Sequence, residues 1–178
     1  MKTKETALIH KEQTGFTYIE ILIAVVILGV VLIPMLNQFY IGFRGNKTAE
    51  ILTQGANLGE DMMEEIKSKR FDESEFPDPV TASANLGLDP GEAHSDRLHY
   101  NDVDDYTGLN NKPPKDINGN VLNDFSDFSR SVTVDYVMLN AGSEWVSSPD
   151  ATYYKRIIVR VSHPEIEDIV LETIVSYY

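Results

Sequence analysis

One carboxylate stands inside the most apolar stretch of the chain. Residues 16–43 read FTYIEILIAVVILGVVLIPMLNQFYIGF and contain a single charged side chain, that of Glu20. An acidic group deep in a bilayer costs about 2.5 to 3.5 kcal/mol even on permissive scales. Because an unpaired buried charge is so unfavourable, a membrane-embedded Glu20 needs a partner that neutralises it. The pattern therefore points to charge pairing inside an apolar environment.

A second candidate for chemistry is a run of carboxylates in the middle of the chain, in NDVDDY at 101–106 and DINGN at 116–120. Ca²⁺ takes six to eight oxygen ligands from carboxylates and carbonyls. The candidate calcium ligands are Asp102, Asp104, Asp105 and Asp116. Solvated acidic turns are the alternative interpretation. Neither string is an EF-hand, since the glycine of DINGN stands fourth rather than sixth.

Composition and motifs exclude several classes of function. The 15 Lys and Arg stand against 28 Asp and Glu, and a net charge of −13 argues against binding of nucleic acid. The chain has no cysteine, which excludes disulfides, thiolate zinc sites and cysteine nucleophiles. No G-x-S-x-G, H-E-x-x-H or P-loop pattern occurs. We therefore expect a protein that is not an enzyme and requires no cofactor, with Ca²⁺ as a candidate ligand.

The apolar stretch is long enough to cross a membrane. As a helix, its 28 residues would span about 42 Å, whereas the hydrocarbon core is about 30 Å thick. A buried core helix and the apolar region of a secretory signal are the alternatives. A signal region is normally about 7 to 15 residues long and ends in small residues before a cleavage site. This run is longer and reaches Arg44 without such a site, which favours a membrane-inserted helix.

The string GFTYIE, in which Glu20 lies five residues after Gly15, resembles the start of the type IV pilins and of the related pseudopilins of type II secretion. The resemblance implies that a prepilin peptidase removes the leader after Gly15. Phe16 then becomes the N-methylated first residue, and Glu20 is the acidic residue that directs assembly. A methylated amine is still cationic, so it would neutralise Glu20 of a neighbouring subunit and favour one register between helices.

The same resemblance implies the partners and the location. The partners are other pilin subunits in a helical filament, the prepilin peptidase, the inner-membrane assembly platform and the membrane itself. Before assembly the protein would cross the inner membrane once, with its head in the periplasm. After assembly it would lie in a pilus at the cell surface. Charge alone leaves the orientation open, because three lysines precede the span while Arg44 and Lys47 follow it.

A second resemblance concerns the part of the chain after the span. The strings EEIKSKRFDE (64–73) and NDVDDYTGL (101–109), followed by FSRSVTVDYV, are similar to minor pilins of the mannose-sensitive haemagglutinin type, the D-type member in particular. This implies a low-copy subunit that primes assembly or caps the tip. Two alternatives stay open, a minor pseudopilin of a type II secretion system and a membrane-anchored adhesin that does not polymerise.

The remaining patterns predict an α+β, pilin-like fold, with a long helix packed on an antiparallel sheet of at least three strands. The predicted parts are a cleaved leader at 1–15, a transmembrane and assembly helix at 16–43, and a head at 44–178 made of an amphipathic helix at 44–69, an acidic loop region at 70–128 and a sheet at 129–178. Within the span, Pro34 is either a harmless kink or part of a stretch, 29–42, that loses helicity on assembly.

The amphipathic helix is predicted to bury a stripe made of Ala49, Leu52, Ala56, Gly59, Met63 and Ile66. Gly55 and Gly59 would let a sheet or a neighbouring helix approach closely. Alternating segments that start at Ser129, Tyr153 and Asp168 predict three successive antiparallel strands. In the second segment the pattern sets Tyr153, Ile157, Val159 and Val161 against Lys155, Arg156 and Arg160. Trp145, in the link between two strands, is predicted to pack at the edge of the sheet.

Overall fold

The computed structural model describes residues 15–72, 86–88 and 91–177. The predicted leader, apart from Gly15, lies outside the described residues, and so do parts of the acidic loop region. The first element is a helix, α1, which spans Tyr18–Lys67. The chain forms two compact units, Met1–Asn46 and Lys47–Tyr178.

The first unit contains the apolar part of α1. Proline has no N–H to donate within a helix. The helix nevertheless continues through Pro34, and the whole stretch 29–42 is helical in the single chain. Loss of helicity in this stretch on assembly stays a prediction.

In the second unit the remainder of α1 packs on an antiparallel sheet, which has five strands among the described residues. The strands are β1 (Asn110–Asn111), β2 (Ser129–Leu139), β3 (Trp145–Ser147), β4 (Tyr154–Ser162) and β5 (Ile169–Ser176). Their order is β1-β2-β4-β5, and β3 pairs with the end of β2. The predicted α+β fold is confirmed, and the three predicted strands correspond to β2, β4 and β5.

Two short strands were not predicted. Strand β1 pairs with β2 through Asn111 and Arg130, and β3 lies inside the link that resembled a turn. Trp145 of β3 pairs with Leu139, and its ring centroid lies 5.0 Å from that of Tyr154. The predicted place of Trp145 at the edge of the sheet is therefore confirmed.

The face of α1 that meets the sheet differs in part from the predicted stripe. Its buried residues are Ile51, Gly55, Leu58, Gly59, Met62, Met63 and Ile66. The stripe is right from Gly59 onward and wrong at its start, because Ala49 is exposed and Leu52 is 43% exposed, while Ala56 between them and Gly59 is half-buried. Apolar residues three and four positions apart form two adjacent stripes along this part of α1. The sheet packs against the stripe that contains Gly55, because the helix has no side chain at that position.

Two strand positions also differ from the predicted alternation. In β2 the predicted alternation puts Met138 on the same face as Val132, Val134 and Tyr136. In the structure Val137 is buried instead and Met138 is 46% exposed, because β2 exchanges β4 for β3 as its partner at this point. In β4, Lys155 is completely buried, whereas Tyr153, just before the strand, is 50% exposed. Lys155 alternates in phase with Ile157 and Val159, so its backbone position faces the core.

The loop region packs on the last turns of α1 through a partly buried ion pair. Arg97 donates to both carboxylate oxygens of Glu65, at 2.9 and 3.1 Å. The hydroxyl of Tyr106 donates to Glu65 Oε1 at 2.9 Å, and the Tyr106 ring lies edge-on to Tyr100 with centroids 4.9 Å apart. Burial opposes ionisation of Glu65, but the hydrogen bonds and charge of Arg97 outweigh it and hold the pKa below its ordinary value.

Candidate membrane and assembly site

The apolar part of α1 exposes its side chains all round. The mean hydropathy of its most apolar 18-residue window is 2.9, and none of that window is buried. Ile33 and Phe43, for example, are 73% and 72% exposed. Contiguous exposed apolar surface marks a membrane or protein interaction site. The helix is long and apolar enough to cross a bilayer, so a membrane is one surrounding that would cover it.

Glu20 lies in the first turn of α1, where it bonds back to the residue before the helix. The backbone N–H of Thr17 donates to Glu20 Oε2 at 3.3 Å, and the Thr17 hydroxyl donates to the same oxygen at 3.4 Å. This is one half of a capping box, whose sequence signature is Thr-x-x-Glu at 17–20. The sequence prediction did not use this signature. Within a single chain the carboxylate therefore has a local partner, although the side chain stays exposed.

The carboxylate is the polar member of an otherwise apolar groove along one side of α1. The groove is lined by Phe16, Glu20, Ile21, Ala24, Val25 and Leu28. Anything apolar that covers this groove removes water from Glu20 as well. Removing water from the apolar side chains is favourable, whereas removing it from the carboxylate costs free energy. A cation on the covering molecule would offset that cost by pairing with Glu20.

The predicted processing residues lie just before the helix. Gly15, Phe16 and Thr17 are not helical, and Phe16 is 82% exposed. A Cβ added to Gly15 would have no neighbour within 4 Å. Exposed chain outside regular structure is the preferred substrate of peptidases. The geometry is thus compatible with cleavage after Gly15, which stays a prediction.

Comparison with known families covers this part of the chain. A family model described as the prokaryotic N-terminal methylation motif matches residues 10–36. The chain carries this motif. The matched range includes Gly15, Phe16 and Glu20, and with the apolar helix that follows it has the features of a type IV pilin-like leader. The match ends within α1, and comparisons with curated proteins and with solved structures gave no match.

Beyond the motif, three of the four predicted calcium ligands lie together in the interior of the second unit. Asp102, Asp104 and Asp105 are 3%, 4% and 1% exposed. Asp105 Oδ2 accepts from the backbone N–H groups of Asn101 and Asp102, at 2.8 and 3.1 Å. Asp102 Oδ1 accepts from the N–H groups of Asp104 and Asp105, at 3.0 and 3.4 Å. Solvated turns are therefore the wrong interpretation for these three residues.

The fourth predicted ligand lies in a separate turn. Asp116 accepts from the backbone N–H of Asn120 at 2.8 Å and from its side-chain amide at 2.9 Å. These bonds hold the pKa of Asp116 below its ordinary value. Gly119 completes the turn with a φ of +81°, a conformation that favours glycine. Here the alternative of an ordinary acidic turn describes the structure.

The carboxylates do not fit a calcium ion well. No group of three or more His, Asp or Glu side chains is arranged to hold a metal, as far as residues 15–72, 86–88 and 91–177 are concerned. Several of the oxygens that would bind calcium already accept backbone N–H groups, and Asp104 Oδ1 accepts from the ammonium of Lys155 at 2.7 Å. Calcium binding at these residues stays a prediction that only a binding measurement can decide.

Lys155 is one of the residues that the sequence analysis placed wrongly. The predicted alternation set it with Arg156 and Arg160, on the face opposite Ile157, Val159 and Val161. A usable indication existed, since Lys155 is in phase with Ile157, Val159 and Val161. A lysine at a core position predicts a buried carboxylate elsewhere in the chain, and the acidic loop supplies one.

Proposed function

We propose that this protein is a minor subunit of a type IV pilus, held in the membrane and in the filament by the apolar part of α1. The observation that carries the proposal is a coincidence within residues 10–36. The methylation motif, an exposed apolar helix and a single carboxylate in the first turn of that helix all occur there.

In this proposal a prepilin peptidase cleaves after Gly15 and methylates the new terminal residue, Phe16. Cleavage creates an α-amino group, which titrates near about 7.7 to 8.0 in water and is cationic at neutral pH. It also removes the chain on the N-terminal side of Phe16, so that the amine becomes the end of an apolar helix.

Assembly follows from the electrostatics of that end. When apolar helices pack side by side, a lone amine and a lone Glu20 carboxylate are each costly to bury, and together they are much less so. The amine of one subunit beside Glu20 of another satisfies both groups. Because α1 has no other charge between Phe16 and Phe43, this pairing selects one axial register among the many that apolar packing alone would allow.

The assignment as a minor rather than a major subunit rests on the two strings that resemble minor pilins. In the structure these strings lie side by side. The N–H of Arg70 donates to the carbonyl of Asn101 at 3.3 Å, and the N–H of Val103 donates to the carbonyl of Arg70 at 3.0 Å. Their contact supports treating them as one structural feature of the head rather than as two unrelated similarities.

The proposal also gives the location and the partners. The protein crosses the inner membrane once before assembly, with its head in the periplasm, and it meets the prepilin peptidase and the assembly platform there. It then joins other pilin subunits in a filament at the cell surface, where it primes assembly or caps the tip. A pseudopilin of type II secretion would use the same motif, helix and carboxylate in the same way.

The test is to determine the mature N-terminus and the destination of the protein in the cell. Mass spectrometry of the purified protein should give a chain that begins at methylated Phe16, and sheared surface fibres should contain it at low copy number. A different first residue would contradict both the pilin and the pseudopilin assignment. A correct N-terminus with no protein in fibres would favour the pseudopilin, if the genes beside the gene for this protein encode a secretion machine. Correct processing without any polymer would favour the anchored adhesin.

A further inference from the structure

Lys155 of β4 has its whole side chain inside the second unit, with no exposure to solvent. Its ammonium donates to the carbonyl of Phe71 at 2.6 Å, to Asp104 Oδ1 at 2.7 Å and to Asp72 Oδ2 at 3.4 Å. An ammonium has three N–H donors, so these three acceptors satisfy it completely.

Two aromatic rings close the remaining space around the ammonium. Lys155 Nζ lies 4.5 Å from the ring centroid of Phe71 and 5.3 Å from that of Tyr136. The Tyr136 hydroxyl donates to Asp72 Oδ2 at 3.4 Å, the oxygen that also accepts from Lys155. A cation held over aromatic faces and excluded from water interacts more strongly than one at the surface.

The donor and its acceptors come from three separate parts of the chain. Phe71 and Asp72 belong to the segment that leaves α1, Asp104 belongs to the acidic loop, and Lys155 belongs to the sheet. The chain has no disulfide to join these parts.

The charges around Lys155 are mostly negative. The buried acids of this region are Asp72, Asp102, Asp104 and Asp105. Lys155 is the cation that pairs with Asp72 and Asp104, by salt bridges of 3.4 and 2.7 Å.

We propose that the Lys155 ammonium is the built-in counter-cation of the acidic loop and takes the place that a divalent metal would otherwise occupy. In this role it fastens the segment that leaves α1, and the loop around Asp104, to strand β4. The head then needs no Ca²⁺ for its stability, although its sequence contains the carboxylates of a calcium site. This inference is independent of whether the protein joins a pilus or a pseudopilus.

The first experiment measures thermal unfolding of the full chain in detergent micelles, with millimolar CaCl₂ or with an excess of chelator. We expect the same Tm in both. A Tm that rises with Ca²⁺ and falls with the chelator would overturn the proposal, because the acids would then prefer the metal to Lys155.

The second experiment compares Lys155→Met with Lys47→Met. Methionine keeps much of the length of the side chain and removes the charge, which leaves Asp104 buried without its partner. We expect a fall in Tm of about 10 °C or more. Lys47 forms an exposed ion pair with Glu165, so its substitution should change Tm by no more than about 2 °C. Equal Tm values for the two variants would contradict the proposal.

Lys155→Met could fail to yield folded protein, and a third variant keeps the proposal testable in that case. The double substitution Lys155→Met with Asp104→Asn removes both charges of the pair. We expect the double variant to fold and to melt above Lys155→Met alone, since no unpaired carboxylate remains beside the methionine. A double variant that is no more stable than Lys155→Met would show that the two charges do not compensate each other, and the proposal would be wrong.

Discussion

Gly59 of α1 lies directly against Leu171 of β5, so closely that a Cβ added to Gly59 would come within 2.8 Å of Leu171 Cδ1. One turn earlier, a Cβ on Gly55 would come within 2.7 Å of Ile169 Cδ1. Two glycines that weaken an isolated helix thus determine how near the sheet can come. Because the glycines have no side chain, β5 lies closer to α1 than it could if both elements had side chains at this contact.

The first prediction follows from this contact. Gly59→Leu should destabilise the second unit by about 1 to 3 kcal/mol, because the new side chain has to displace Leu171 from a packed core. Thermal unfolding of the full chain measures the effect. Gly45→Leu is the matched control, since Gly45 also lies in α1 and a Cβ there would have no neighbour within 4 Å. If both variants melt like the wild type, the packing at Gly59 is looser than described.

The second prediction concerns processing. Replacing Gly15 by a bulky residue such as Leu should leave the leader attached and the protein in the membrane. A Cβ at Gly15 would have no neighbour within 4 Å, so the substitution should not disturb the fold. The intact mass measures cleavage, and an unchanged melting curve serves as the control for folding. Normal cleavage of the variant would show that the peptidase does not require glycine at position 15.

The third prediction concerns Glu20. Glu20→Gln should be processed normally but should be recovered in sheared fibres at a level reduced by roughly tenfold or more, since an uncharged amide cannot neutralise a buried amine. Immunoblots of fibres and of membranes measure the two quantities. Glu50→Gln is a suitable control, because Glu50 is exposed on the second half of α1. Equal recovery of both variants would disprove the pairing at Glu20.

The fourth prediction concerns pH. Burial and the charge of Asp104 raise the pKa of Asp102 to about 8, whereas an aspartate in an unfolded chain titrates near about 3.9. The folded state therefore binds the proton more tightly. The stability that Asp102 contributes is complete below about pH 4 and is lost as the pH rises through about 8. The charged groups that act on Asp102 are Asp104, Asp105 and Lys155, and Asp102 in turn acts on Tyr136.

Asp102→Asn removes this titration, so the Tm of the variant minus that of the wild type should increase as the pH is raised from about 5 to about 8.5. Asp116→Asn is the control. Hydrogen bonds from Asn120 lower the pKa of Asp116, which is therefore ionised throughout this range, and its Tm difference should stay constant. A difference for Asp102→Asn that does not change with pH would mean that Asp102 is ionised in the folded protein.

Long periodic segments were the predictable part of the fold. The apolar run around Glu20 and the alternation of β2, β4 and β5 each repeat one local preference over many residues, and the structure has a helix or a strand at each. Strand β3 is only three residues long, so local preference says little about it. Its position depends on pairing with the part of β2 beyond Tyr136, which β4 leaves unpaired.

Some residues of the candidate site could be predicted from the sequence and others could not. Gly15, Phe16 and Glu20 form a compact motif, and the family comparison covers all three. The burial of Asp104 was not predictable in the same way, because it depends on Lys155, which is 51 residues away in the chain. A buried ion pair is a property of two distant positions. The core-facing register of Lys155 indicates that it has a buried acidic partner, but it does not indicate which acid of the loop region supplies the carboxylate.

The contacts that hold the second unit together also determine when it can fold. Arg130 and Leu58 are 72 residues apart, Lys155 and Phe71 are 84 apart, and Lys47 and Glu165 are 118 apart. Contacts so distant in sequence form late, whereas a helix needs only local ones. At about 5 to 20 residues per second, β4 leaves the ribosome several seconds after α1. Under the proposed function, the apolar helix would therefore reach the membrane while the head is still unfolded, which is the state in which a head can be translocated.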